Sequence, residues 1–223
     1  MTKFDADWVR AEETKRKWMA DNGLYTEEEE HSSCGVGLVV AVDGKASRSV
    51  VEAGIDALKA IWHRGAVDAD GKTGDGAGIH VQIPAPFFYD QIRRTGHEPR
   101  EDQLMAVGQV FLPRTNFGAQ ETCRTIVETE VLRMGYYIYG WRHVPVDVSC
   151  LGEKANATRP EIEQILISNS KGVDEDTFER ELHVIRRRIE KAAAAAGIGE
   201  LYLASLSCRS IIYKGMMLAE QVA

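Results

Sequence analysis

With 223 residues, 44% of them apolar, the chain can bury the core of one large domain or two small ones. Its formal net charge of −7 argues against a protein that grips phosphate backbones, which calls for a basic face, so nucleic acid is not expected as a partner. No apolar run approaches the roughly 20 residues that cross a bilayer, and the N-terminal stretch MTKFDADWVRAEETKRKW is polar where a secretory signal is apolar. A soluble, cytoplasmic protein with no membrane partner is expected.

Residues Met1 to Ser33 are polar and helix-compatible but lack the apolar periodicity that joins a core, so they read as an appendage. At Cys34 the pattern changes. CGVGLVVAV, closed by Asp43-Gly44, predicts a buried strand and a hairpin turn. Val51, Ile55, Leu58 and Trp62 then fall at helical spacing, with Gly65 as the stop. Ile79, Val81 and Ile83 alternate as in a half-buried strand, and LMAVGQVFLP reads as a second strand bounded by Pro113. AQETCRTIVETEVLRMG predicts a helix ending at Gly135, followed by strands in YYIYGWRHVP and EIEQILISN. Phe178, Leu182, Ile185 and Ile189 mark a helix that stops at Gly197, and ELYLASLS and RSIIYKG close the chain as strands. Strands and helices alternate without a strict βαβα order, so the fold class expected is α+β, with helices laid on sheets.

Two stretches carry chemistry. In GAVDADGKTGDGAG the Gly71-Lys72-Thr73 run looks like the tail of a phosphate-binding loop. However, five residues separate Gly65 from Gly71 instead of four, the segment follows a helix, and Asp68, Asp70 and Asp75 would repel phosphate. Its glycines mark either a tight turn between helix and strand or a close approach of backbone to a ligand. In the second case Arg64 would offer a guanidinium fork for a carboxylate. The other stretch is EEEEHSSCGVG. Cys34 is either a small packing residue or, if the polar leader is removed, a residue carrying both a thiol and a free α-amine that titrates near pH 7.7–8. One residue would then hold nucleophile and base, with Gly35 and Gly37 leaving the sulfur accessible. Cys123, Cys150 and Cys208 are scattered, with no metal-ligand spacing, so no metal site is expected and packing is their expected role.

CGVGLV, followed by HRGAVDADGKTGDGAGI, IPAPFF, YYIYGWRHVPVD and RPEIEQILI in that order, resembles the opening of glutamate synthase large subunits, a class II glutamine amidotransferase domain of the N-terminal-nucleophile hydrolase type. The resemblance implies a leader at 1–33, an αββα sandwich from residue 34 to 223, and attack of the Cys34 thiolate on the side-chain amide of glutamine. It also places Arg64 where the family holds the bound glutamine. The ammonia would go to synthase domains of the same polypeptide that convert 2-oxoglutarate to glutamate, domains for which FMN, an iron–sulfur cluster and a small electron-donating subunit are implied. No cofactor is implied within residues 34–223. The family's next segments, a histidine–glutamine–arginine stretch with a Ser-Thr-Asn run and the asparagine–glycine pair of the oxyanion hole, do not follow Tyr213. The sandwich is therefore expected to be incomplete at its C-terminal end and the fragment inactive by itself. Two other readings stay open at this point: a thiol amidohydrolase of the same fold acting on another amide, and a non-catalytic α+β binding or assembly module.

Overall fold

The computed structural model describes residues 6–23, 35–62 and 65–222. The chain divides into two compact units, Met1–Gly35 and Val36–Ala223. The first contains helix α1 (Ala6–Asn22), whose side chains are mostly exposed, as its polar composition requires.

The second unit runs α2 (Arg48–Ala60), β1 (Ala77–Gln82), α3 (Ala85–Arg94), β2 (Met105–Leu112), α4 (Phe117–Arg133), β3 (Tyr137–His143), α5 (Glu153–Thr158), β4 (Glu161–Ser168), α6 (Glu175–Ala195), β5 (Tyr202–Ser207) and β6 (Ser210–Gly215), with a 3-10 turn at Ala219–Gln221. Its described residues form an α+β unit with two antiparallel sheets, one of four strands in the order β3-β4-β2-β5 and one pairing β1 with β6.

The core forms in two layers because β4 alternates. Ile165 and Ile167 face α4 and α6, where they meet Val127, Val131, Phe178, Leu182, Ile185 and Ile189. Leu166 points the other way, into a cluster with Phe88 and Ile92 of α3 and Ile211 of β6. The four α6 residues picked out by helical spacing are all fully buried, each contributing roughly 1.5–3 kcal/mol of burial. Between the two sheets a polar chain is threaded through the apolar layer. Gln164 Nε2 donates to Gln109 Oε1 (2.8 Å) and to Tyr213 Oη (3.2 Å), while Arg142 donates to Gln164 Oε1 (2.9 Å) and Gln91 Oε1 (3.1 Å). Burial holds the Arg142 pKa below its ordinary value.

Three sequence expectations change. The segment predicted as the first strand is irregular from Gly35 onward, and Val36, Leu38, Val40 and Val42 are exposed at 92%, 86%, 65% and 102%. The alternation fits a strand, but no described segment pairs with it, and β-propensity is realised only against neighbours. The turn at its end does form, with Gly44 N–H donating to Ala41 O at 3.0 Å. Helix α2 stops at Ala60, before Trp62, which is exposed. Finally, α3 has no counterpart among the sequence expectations; it opens at Pro84 and Pro86, and proline in the first helical turn starts helices.

Candidate functional site

Cys34 and Arg64, the two residues to which the sequence assigns chemistry, lie outside the described residues. What the structure defines is the loop that follows Arg64. Gly65 N–H donates to Trp62 O (3.1 Å), and the backbone then doubles back on itself: Val67 bridges Gly74, and Asp68 N–H donates to Thr73 O at 2.9 Å.

At the tip, the Asp70 carboxylate accepts from the N–H groups of Lys72 (2.9 Å) and Thr73 (2.7 Å) and from the Thr73 hydroxyl (2.5 Å). These bonds, led by the hydroxyl, hold the Asp70 carboxyl well below the usual carboxylate range. The N–H groups that a phosphate loop would aim at its ligand are thus already bonded to a carboxylate, and the nucleotide reading fails on geometry as well as on spacing. Asp68 is also committed. It accepts from Lys154 Nζ at 2.6 Å, which lowers the Asp68 pKa and raises that of Lys154.

Two further segments clasp this loop. The start of α5 abuts it so closely that a Cβ on Gly152 would stand 2.2 Å from both Asp70 Oδ2 and Thr73 Oγ1, and Ala155 N–H reaches Thr73 Oγ1 at 3.4 Å. From the chain's last described residues, Gln221 Nε2 donates to Cys150 O (2.6 Å) and Lys72 O (3.4 Å), while a Cβ on Gly74 would stand 2.3 Å from Met217 O. The close approach that the glycines allow is therefore made by the protein's own backbone. Thr73, only 3% exposed, is the centre of the clasp, and its place there leaves no local mark because its partner at the start of α5, Ala155, lies about 80 residues away. The loop is thus tied to α5 and to the segment around Gln221 by backbone and side-chain hydrogen bonds.

The described cysteines differ from one another. Cys123 is fully buried in the core, and burial raises its pKa. Cys208 donates from Sγ to Glu179 Oε2 (3.1 Å), and burial together with that carboxylate pushes its thiol up to about 12. Cys150 donates to Asp147 O at 3.4 Å. Two of the three are thus held as thiols, the form that is neither nucleophile nor metal ligand. Among the described residues no group of three or more His, Cys, Asp or Glu is arranged to hold a metal ion, and no helix is long and apolar enough to cross a membrane.

The family model for class-II glutamine amidotransferases matches residues 34–223. The chain is 64% identical over 198 residues to the glutamate synthase [NADPH] large chain of Azospirillum brasilense, covering 89% of this chain and 13% of that protein. It is 38% identical over 192 residues to the chloroplastic ferredoxin-dependent glutamate synthase of Spinacia oleracea (86% and 12%) and 37% identical over 205 residues to the glutamate synthase [NADPH] large chain of Bacillus subtilis (90% and 13%). The chain spans about an eighth of the length of these relatives. From residue 34 onward the chain belongs to the class-II glutamine amidotransferases.

Proposed function

We propose that the chain supplies the glutaminase part of a glutamate synthase, with Cys34 as an N-terminal nucleophile freed by removal of residues 1–33. The observation that carries this reading is that the family match begins at Cys34, the residue where a polar leader meets the first apolar run. The retention of Cys123 and Cys208 as thiols supports it.

The proposed chemistry follows from a thiol and an amine on one residue. The α-amine, titrating near pH 7.7–8, takes the thiol proton, and the thiolate adds to the side-chain amide carbon of glutamine. As the C–N bond breaks, the amine returns the proton to the leaving nitrogen and ammonia departs, leaving a glutamyl thioester. Water, deprotonated by the same amine, then cleaves the C–S bond to give glutamate and the free thiol. Arg64 holds the glutamine carboxylate as a bidentate fork.

On this reading the described layers belong to an αββα sandwich, completed by segments that also bring the oxyanion donors. The ammonia passes to synthase domains of a longer cytoplasmic polypeptide. FMN, the iron–sulfur cluster and a small electron-donating subunit serve those domains, and none of them is assigned to residues of this chain.

The test uses the complete polypeptide. Cys34→Ser is expected to abolish glutamine-dependent glutamate formation while leaving ammonia-dependent formation within about twofold, since free ammonia bypasses the thiol. Arg64→Lys should raise KM for glutamine selectively, because an ammonium cannot reproduce the fork. Equal loss of both activities in either variant would contradict the assignment.

A further inference from the structure

Away from the clasped loop, α6, β1 and the β5–β6 hairpin line an open groove of about 390 Å³ that is rich in groups able to donate hydrogen bonds. Its floor carries two buried serines. Ser205 Oγ already accepts the N–H of Ile212 (3.2 Å), and Ser207 Oγ accepts those of Arg209 (2.9 Å) and Ser210 (3.2 Å). A hydroxyl that accepts from backbone retains its own proton to donate, and neither serine donates to any described group. They are 6% and 7% exposed, and a buried hydroxyl without an acceptor is costly.

The wall and rim add cations. Arg180, His183 and Arg186 come from one face of α6, and His80 enters from β1, held to Ser210 Oγ at 2.6 Å. Arg186 uses only Nε, toward Glu190 Oε1 at 3.1 Å, and Arg180 only one terminal nitrogen, toward Thr177 Oγ1 at 3.0 Å, so both keep N–H groups to give. The carboxylate lining the groove, Glu179, is turned to the N–H and thiol of Cys208 (2.9 and 3.1 Å).

We propose that this groove is a binding site for a small oxyanion of at least two negative charges, a phosphate or a dicarboxylate, with the two serine hydroxyls at its base and Arg180 and Arg186 closing over it. Hydroxyl and guanidinium donors lining one groove, whose carboxylate Glu179 is already engaged by Cys208, are the chemistry that recognises such a group. The site is built wholly from residues 80–212 and does not depend on Cys34 being the nucleophile.

Calorimetric titration of the chain at pH 7 tests this, with inorganic phosphate in one arm and succinate in the other, chloride holding ionic strength constant. Saturable one-to-one binding is expected for at least one of the two anions, and the arm that saturates identifies the class. Arg186→Ala should weaken it by about tenfold or more, the usual effect of removing a charged hydrogen-bond donor. Arg187→Ala removes the same charge from the neighbouring exposed position, whose guanidinium pairs with Glu190, and should change affinity less than about twofold, as expected for a screened surface charge. Absence of saturation by both anions, or an equal loss in the two variants, would overturn the proposal.

Discussion

Cys208 has a thiol pushed up to about 12 by burial and by Glu179, so at pH 8 its thiolate population is on the order of a thousandfold below that of an ordinary cysteine. Iodoacetamide labelling of the native chain followed by site-resolved mass analysis should leave Cys208 and the buried Cys123 largely unmodified, with Cys150 reacting ahead of both. Rapid labelling of Cys208 would mean that its contact with Glu179 does not hold. Packing limits are equally local. Gly152→Ala places a methyl group 2.2 Å from two oxygens of the clasp and should destabilise the chain by about 1–3 kcal/mol in chemical denaturation, whereas Gly199→Ala, with open space around its Cα, should be near neutral. At this scale the sequence told which residue types mattered but not always why. The glycines of the loop were visible as a demand for close approach, while the approaching groups, Met217 O against Gly74 and the start of α5 against Thr73, come from about 80 to 140 residues further along the chain and leave no local mark.

The strongly periodic elements were legible and the context-dependent ones were not. Helix α6 was readable because Phe178, Leu182, Ile185 and Ile189 keep a helical repeat across about three turns, and Leu182→Ala is expected to cost about 2–5 kcal/mol in urea unfolding. Helix α5 has six residues and no apolar stripe, so it gave no signal. The run from Val36 to Val42 gave a strand signal for a strand that the described residues do not form. The clasp and the α6 cap also set an acid limit. Asp68, Asp70 and Asp174 all have carboxyl pKa values below those of an unfolded chain, held down by hydrogen bonds from Lys154 and from the threonines Thr73 and Thr177. A carboxyl depressed on folding stabilises above its unfolded pKa, near 3.9, and that contribution is lost as pH falls through the folded value. Thermal midpoints should therefore drop steeply between about pH 4 and pH 2, and Asp70→Asn should flatten the lower part of that curve. A parallel curve for the variant would show that the Asp70 hydrogen bonds do not contribute.

For the whole molecule, the α+β class and the family were legible because ordered motifs run through the chain from Cys34, whereas the two-layer core and the polar chain through Arg142, Gln164 and Gln109 depend on pairings that no local pattern reports. The exposed apolar residues at Val36, Leu38, Val40 and Val42, with Trp62 at 68%, form surface that water does not favour. The isolated chain should consequently self-associate in sizing chromatography at micromolar concentration and bind a hydrophobic dye. It should also release ammonia from glutamine far more slowly than the longer polypeptide, whose further segments are proposed to supply the oxyanion donors, groups commonly worth a hundredfold or more in rate. The reading rests on Cys34 presenting a free amine beside its thiol, and intact-mass analysis with N-terminal sequencing of the active protein from its native host measures this directly. The account predicts a polypeptide beginning at Cys34, and an active enzyme that still carries Met1 to Ser33 would contradict it.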